Sequence, residues 1–258
     1  MTRIPIALQL YTLREETERD FIGTLEKVAE LGYEGVEFAG YGGLQANELK
    51  SVLDRLGLKA VSSHVSIEEL EENLEQVITY QQEIGSKYIV CPYLPPERQT
   101  EEDYRHLISV LNHVGERCAS EGLTLLYHHH DFELIRFANG RTPLEMMLEE
   151  TSPEWVKAEF DVYWLTLSGE RPVEWLTRYQ SRTPLVHLKD MTTDDRKTFA
   201  RLGTGGVDIE AILQQGPSSN VEWWIVEQDQ CDGSAIESVG ESIRYLKTLL
   251  EKQKDFTV

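Results

Sequence analysis

The chain reads as an α/β protein that closes a single (β/α)8 barrel, eight parallel strands each followed by a helix. Short apolar runs alternate with longer amphipathic segments eight times, the amphipathic segments repeatedly stop at glycine, and no linker-like composition separates the units. Strands buried on both faces should be short and poorly alternating, as these runs are. A doubly wound open sheet is the competing arrangement. It is disfavoured because no Gly-x-Gly-x-x-Gly follows the first run and the count closes at eight. The barrel is expected to span 1–258 as one domain, with only the polar end, 251–258, expected to be disordered.

In order, Ile4 to Leu10 is the first strand, and Phe21, Leu25, Val28, Ala29 and Leu31 recur at helical spacing before Gly32. Gly35 to Phe38 follows, then a helix from Leu44 to Leu56 stopped at Gly57. Leu58 to His64 is strand three, Ile67 to Ile84 a helix stopped at Gly85, and Lys87 to Cys91 strand four. Pro95 and Pro96 forbid helix in the turn beyond. Thr100, followed by three acids, caps a long helix that ends at Gly122 and leads into strand five, Leu123 to Tyr127. Thr142 and Pro143 start a shorter helix in the same way. Val156 to Tyr163, Leu185 to Lys189 and Val221 to Glu227 are strands six to eight, with helices at Pro172 to Tyr179, Val207 to Gln215 and Ser234 to Lys252.

With 25 Lys and Arg against 45 Asp and Glu, the formal charge of −20 repels nucleic-acid phosphates and anionic membrane surfaces and favours metal cations. Cys91, Cys118 and Cys231 are isolated and lack Cys-x-x-Cys spacing, which argues against a disulfide framework or a structural zinc site and fits a reducing cytoplasm. The N-terminus carries no charged-then-apolar signal segment, and no apolar stretch approaches the ~20 residues of a spanning helix. A homo-oligomer is compatible with the sequence, since barrel surface helices form interfaces without a distinctive motif.

In such a barrel the active site lies where the strands end. The terminating residues are strongly polar: Gln9 and Tyr11, Glu37, His64, His128 with His130, Glu159 with Asp161, His187 with Lys189, and Glu227 with Gln228 and Asp229. Alternation along a strand puts His128 and His130 on one face and His129 on the other, and pairs Glu159 with Asp161 and His187 with Lys189. Imidazole with carboxylates from separate strands makes a mixed nitrogen and oxygen site suited to Mn²⁺, Zn²⁺, Co²⁺ or Mg²⁺. Singly, each has a plain alternative: Asp161 as a helix cap, His187 as a core histidine, Glu227 in an ion pair. Lys189 is either an ion-pair partner of Asp190 on the rim or a holder of an oxyanion. The glycine-rich run Leu202 to Asp208 is either a phosphate cradle or a flexible loop. Tyr11, Tyr41 and Trp164 are the aromatics nearest the expected mouth.

These segments have a familiar order. Leu8-Gln9-Leu10-Tyr11-Thr12-Leu13-Arg14, Gly35-Val36-Glu37, Ser62-Ser63-His64, Tyr127-His128-His129-His130-Asp131-Phe132-Glu133, Phe160-Asp161-Val162-Tyr163-Trp164, His187-Leu188-Lys189-Asp190 and Glu227-Gln228-Asp229 together resemble the sugar phosphate isomerase/epimerase family of xylose-isomerase-like barrels. Its branches include ketose epimerases, inosose dehydratases and apurinic endonucleases. The resemblance implies a divalent metal on Asp161, His187 and Glu227, with His128 at the strand-five position where the epimerase pattern carries Glu, and Glu133 a few residues beyond. It implies a keto sugar, sugar phosphate or keto-cyclitol as substrate, with a metal-stabilised enediolate. Glu227 is then the preferred general base, and His64, Glu133 or Lys189 the candidates for proton delivery. Tyr11, Glu37, His130 and Trp164 are the residues expected at the substrate. Isomerisation or epimerisation is the first expectation, and dehydration, to which a strand-five histidine is closer, the alternative. A non-catalytic sugar-binding barrel is the rival from another class.

Overall fold

The computed structural model of the protein describes residues 3–255. Eight parallel strands close into a barrel: β1 (Ile6–Gln9), β2 (Gly35–Phe38), β3 (Lys59–His64), β4 (Tyr88–Cys91), β5 (Thr124–His128), β6 (Val156–Asp161), β7 (Leu185–Leu188) and, last in the ring, Trp223–Val226. The closing strand pairs with β1 through Leu8 and Val226 and with β7 through Ile225 and His187. A two-stranded antiparallel ribbon, β8 (Asp190–Met191) with β9 (Phe199–Ala200), interrupts the sequence before the closing strand, which is therefore β10.

Helices α1 (Arg14–Arg19), α2 (Phe21–Leu31), α3 (Ala46–Leu56), α4 (Ile67–Glu72), α5 (Leu74–Ile84), α6 (Glu101–Ser120), α7 (Pro143–Glu150), α8 (Val162–Leu167), α9 (Pro172–Arg178), α10 (Ile209–Gln215) and α11 (Ala235–Asp255) account for the rest. The glycine stops behave as read: Gly32, Gly57 and Gly85 close α2, α3 and α5 in the left-handed conformation, where a Cβ would be strained. Thr100 and Thr142 each form a capping box, with Asp103 and Glu145. The helix expected over 67–84 is two helices, because Asn73 leaves helical geometry between them. Strand six ends two residues earlier than expected: Asp161 turns its carboxylate onto the backbone N–H groups of Tyr163 (2.9 Å) and Trp164 (3.3 Å) and starts α8. The last helix continues through Asp255, and 256–258 of the expected tail lie outside the described residues.

The interior is layered. Ala7, Val61, Tyr88, Val90, Leu126, Leu185 and Ile225 form a small apolar plug in the lumen, with Trp223 packed against it. A larger core, from Leu8 and Val36 to Phe160 and Trp224, fills the space between strands and helices. Above the plug the next inward positions are polar, and this break in the apolar filling makes room for the site. Among the described residues no helix is long and apolar enough to cross a membrane.

Candidate metal centre

Strand geometry brings four expected ligands together. His128, Asp161, His187 and Glu227 are buried, and each offers one ligand atom within 4.8 Å of the other three. His187 Nδ1 lies 2.8 Å from Glu227 Oε2, and His128 Nε2 lies 4.0 Å from Asp161 Oδ2. Asp161 both caps and faces the centre: Oδ1 holds the start of α8, whereas Oδ2 is buried without a hydrogen bond. Two imidazoles and two carboxylates from four strand ends suit a divalent cation of the zinc or manganese type.

Lys189 is 2% exposed and sits between three acids, its Nζ 3.0 Å from Asp161 Oδ2, 2.7 Å from Glu227 Oε2 and 2.7 Å from Asp229 Oδ1. Burial alone would lower its pKa, but Asp161, Glu227 and Asp229 hold it well above the usual lysine value. Glu227, despite burial, is held below the usual carboxylate range by Lys189 and His187. Asp229, more open at 21%, is pushed up to about 6 by burial and by the charge of Glu227. Lys189 is thus not paired with Asp190 on the rim.

Beneath the ligands lies a second polar tier. Glu37, 0% exposed, accepts hydrogen bonds from Gln9 Nε2 (2.8 Å), Ser62 Oγ (2.6 Å) and His187 Nε2 (2.6 Å), and has His64 Nε2 at 3.2 Å. His64 Nε2 is also 3.0 Å from Glu159 Oε2. The negative charge stays on Glu37: burial opposes it, but the charges of His64 and His187 bring its pKa well down. Glu159 is shifted up by burial and by Glu37, and its Oε1 has no partner. Burial lowers the pKa of His64, yet Glu37 and Glu159 raise it to about 10.

The remaining expected residues divide between mouth and support. Tyr11 is 45% exposed at the mouth, with the Arg14 guanidinium 4.5 Å above its ring. His130 is half-buried, stacked on Phe132 and 5.4 Å from Trp164 between ring centroids. The Lys189 ammonium lies 5.7 Å from the Trp164 ring, whose Nε1 is buried without a partner. These aromatics form one wall beside the centre. Glu37, expected at the substrate, is instead occupied by its four partners below. Glu133, expected to deliver protons, is turned under the strand-five loop, where its carboxyl accepts from Tyr127 Oη and the His130 N–H, each at 2.7 Å. Burial pushes its pKa up to about 8. Tyr41 stacks on Tyr80 and accepts from Gln81 Nε2 at 2.7 Å, a packing role.

His129, on the opposite face of β5 as alternation requires, accepts the Asp161 N–H at Nε2 (3.2 Å), so its Nδ1–H donates to the His130 carbonyl (3.1 Å). Burial keeps it neutral, with a pKa lowered to about 4. It ties the end of β5 to the end of β6. The glycine-rich loop is neither a free cradle nor loose. The Asp190 carboxylate accepts from the N–H groups of Met191 (2.8 Å), Gly203 (3.0 Å), Gly205 (2.9 Å) and Val207 (3.0 Å). A Cβ on Gly205 would lie 2.3 Å from Asp190 Oδ1, so the close approach needs glycine there. The structural work of Asp190 and the depth of Glu159 were not legible in the sequence. The separation of two from Glu159 to Asp161 was the only signal for the latter.

A closed barrel with a polar, metal-competent layer at the strand ends is an enzyme-like architecture, and the comparisons place it in a family. The sequence pattern of the xylose isomerase-like TIM barrel family matches residues 25–249, and the chain belongs to that family. It is 26% identical over 270 residues to an inosose dehydratase of Clostridium beijerinckii, covering 89% of this chain and 90% of the relative. It is 28% identical over 272 residues to inosose dehydratase 2 of Bacillus cereus, covering 91% and 90%. Among solved structures, a sugar phosphate isomerase/epimerase from Parabacteroides distasonis superposes with a TM-score of 0.81 at 25% identity, over 95% of this chain and 94% of that one. An L-ribulose 3-epimerase shares the fold at a TM-score of 0.75 and 15% identity, over 100% and 99%.

Proposed function

We propose that the protein is a metal-dependent lyase that removes water from an unphosphorylated keto-cyclitol or keto sugar. The observation that carries the choice of reaction is at strand five. A two-base epimerisation needs an acid/base group on each face of the substrate, which in the epimerase pattern is a pair of carboxylates. Here the strand ends in His128, which burial and the neighbouring His187 keep neutral, and Glu133 is bonded away beneath its loop. Elimination needs one base on the carbon beside the carbonyl and one proton for the departing hydroxyl.

A divalent cation on His128, Asp161, His187 and Glu227 would supply Lewis-acid polarisation of the carbonyl and its neighbouring hydroxyl. Glu227 takes the proton from the carbon beside the carbonyl. Its ion pairs run through Oε2, so Oε1 is the oxygen for that task. Lys189, held positive by its three carboxylates, stabilises the negative charge that develops on the substrate oxygen. Asp229, bonded to the same ammonium on the more open side, carries the proton to the leaving hydroxyl. The C–H proton ends on Glu227, the C–O bond breaks, and water leaves. Tyr11, His130 and Trp164 supply rings for the faces of the substrate. An unphosphorylated substrate is supported by the glycine-rich loop, whose N–H groups are already taken by Asp190.

The likeness to the Parabacteroides isomerase/epimerase favours a second reading, in which the same proton abstraction is followed by return of the proton to carbon. Mass spectrometry of metal-loaded enzyme with a panel of keto-cyclitols and ketoses, each with and without phosphate, separates the two. Loss of one water supports the lyase, and a mass-neutral new sugar overturns it. Glu227→Ala should abolish turnover. Sugar binding without turnover of any of the panel by the wild type would instead indicate a binding barrel.

A further inference from the structure

His64, His128, Glu159 and His187 form a second group with ligand atoms within 4.8 Å of one another, one tier below the first. The two groups share His128 and His187 but use opposite nitrogens of each ring. His187 faces Glu227 through Nδ1 (2.8 Å) and faces Glu37 (2.6 Å) and Glu159 (3.2 Å) through Nε2. His128 faces Asp161 through Nε2 (4.0 Å) and Glu159 through Nδ1 (3.2 Å). A neutral imidazole has one lone pair for a metal and one N–H to donate, so each ring is a ligand toward one tier and a hydrogen-bond donor toward the other. The upper tier holds the Asp161 and Glu227 carboxylates, both beside the Lys189 ammonium. The lower tier holds two carboxylates, on β2 and β6, that are suited to accept an N–H.

We infer that Glu37 and Glu159 are the positioning residues of the metal centre, one carboxylate behind each ligating histidine. This rests on the reading that His128, Asp161, His187 and Glu227 hold the cation. Glu37 accepts the Nε2–H of His187, fixing the tautomer whose Nδ1 lone pair faces upward, and Glu159 Oε2, 3.2 Å from His128 Nδ1, stands behind the second ring. His64 lies between the two carboxylates, at 3.2 Å and 3.0 Å, and couples them. Gln9 and Ser62 in turn fix Glu37, so the support draws on β1, β2 and β3. The two sides are unequal. The Glu37–His187 bond is short, whereas His128 Nδ1 sits at ion-pair distance from Glu159 but off the hydrogen-bond direction, and Glu159 Oε1 has no partner. Glu37 is therefore the stronger support.

The test is Mn²⁺ or Zn²⁺ affinity of Glu37→Gln and Glu159→Gln, by competition with a chelator, alongside the visible spectrum of the Co²⁺-substituted proteins. Asp161→Asn serves as the reference for loss of a ligand itself. Metal binding should weaken by about 10–100-fold in the two variants, more for Glu37→Gln, with a shifted Co²⁺ spectrum and an unchanged far-UV circular dichroism spectrum. If Glu37→Gln does not fold, Ser62→Ala, which loosens Glu37 without removing its charge, should still weaken binding several-fold. Wild-type affinity and spectrum in the Glu→Gln variants, with binding lost in Asp161→Asn, would overturn the inference and leave the metal centre standing. Binding lost in Glu159→Gln but intact in Asp161→Asn would place the cation in the lower tier and overturn both.

Discussion

Asp190 gives the sharpest test of how the mouth is built. Its carboxylate, 1% exposed, accepts four backbone N–H bonds of 2.8–3.0 Å, two on each oxygen, from Met191 and from the glycine-rich loop. Hydrogen bonds to a charged group contribute ~1.5–3 kcal/mol each, but the four share one desolvated carboxylate and do not add. Removing one partner of a buried charged cluster costs about 3–5 kcal/mol, and Asp190→Ala should destabilise by that amount. For a chain of this size that is a fall in Tm of roughly 10 °C. Urea unfolding followed by circular dichroism measures the loss. Because the variant exposes an empty anion nest, formate, a carboxylate without a chain, should restore part of the stability in a concentration-dependent way. Inorganic phosphate should not stabilise the wild type through this loop. A loss below about 1 kcal/mol, or no response to formate, would refute the assignment of Asp190 as the loop's own anion and reopen the loop to a substrate phosphate.

Glu133→Gln removes the titration of the buried carboxyl while keeping its shape. The amide oxygen still accepts the His130 N–H, and the amide nitrogen donates to Tyr127 Oη, whose role reverses. The wild-type pKa is raised from 4.5 to about 8, so its contribution to stability is full below 4.5 and is lost as pH rises toward 8. Unfolding free energies between pH 5 and 8.5 should fall by up to a few kcal/mol in the wild type and markedly less in the variant, and equal slopes would contradict the burial argument. At Gly216 a Cβ would lie 2.2 Å from Trp224, which is 1% exposed. Gly216→Ala should therefore cost about 1–3 kcal/mol through overpacking, measured by thermal unfolding, and a neutral effect would show that Trp224 has room to move.

The fold was legible because its signals are local and repeated. Gly32, Gly57 and Gly85 mark helix ends that only glycine accommodates cheaply, and Thr100 and Thr142 announce helix starts through side chains that bond their own backbone. The convergence of the four candidate ligands was legible because strand ends in a barrel converge, so His128, Asp161, His187 and Glu227 needed only the right strand assignment. Side chains with two tasks were harder. Asp161 gave both a cap and a ligand as alternatives; the structure uses Oδ1 for the cap and turns Oδ2 toward Lys189 and His128. Glu37 and Glu133 carry the same functional group as Glu227, and only their three-dimensional partners, His187 and Ser62 for one, Tyr127 for the other, set them apart. The β8–β9 ribbon joins two short strands that lie below the length at which periodicity is readable.

The ends of β5, β6, β7 and β10 are proposed to converge on one cation. Metal analysis of protein purified without chelator, set beside Asp161→Ala and His187→Ala, tests it most directly. One tightly held divalent ion per wild-type chain is expected, and its loss from both variants while they remain folded. Unchanged metal content in both variants would contradict it.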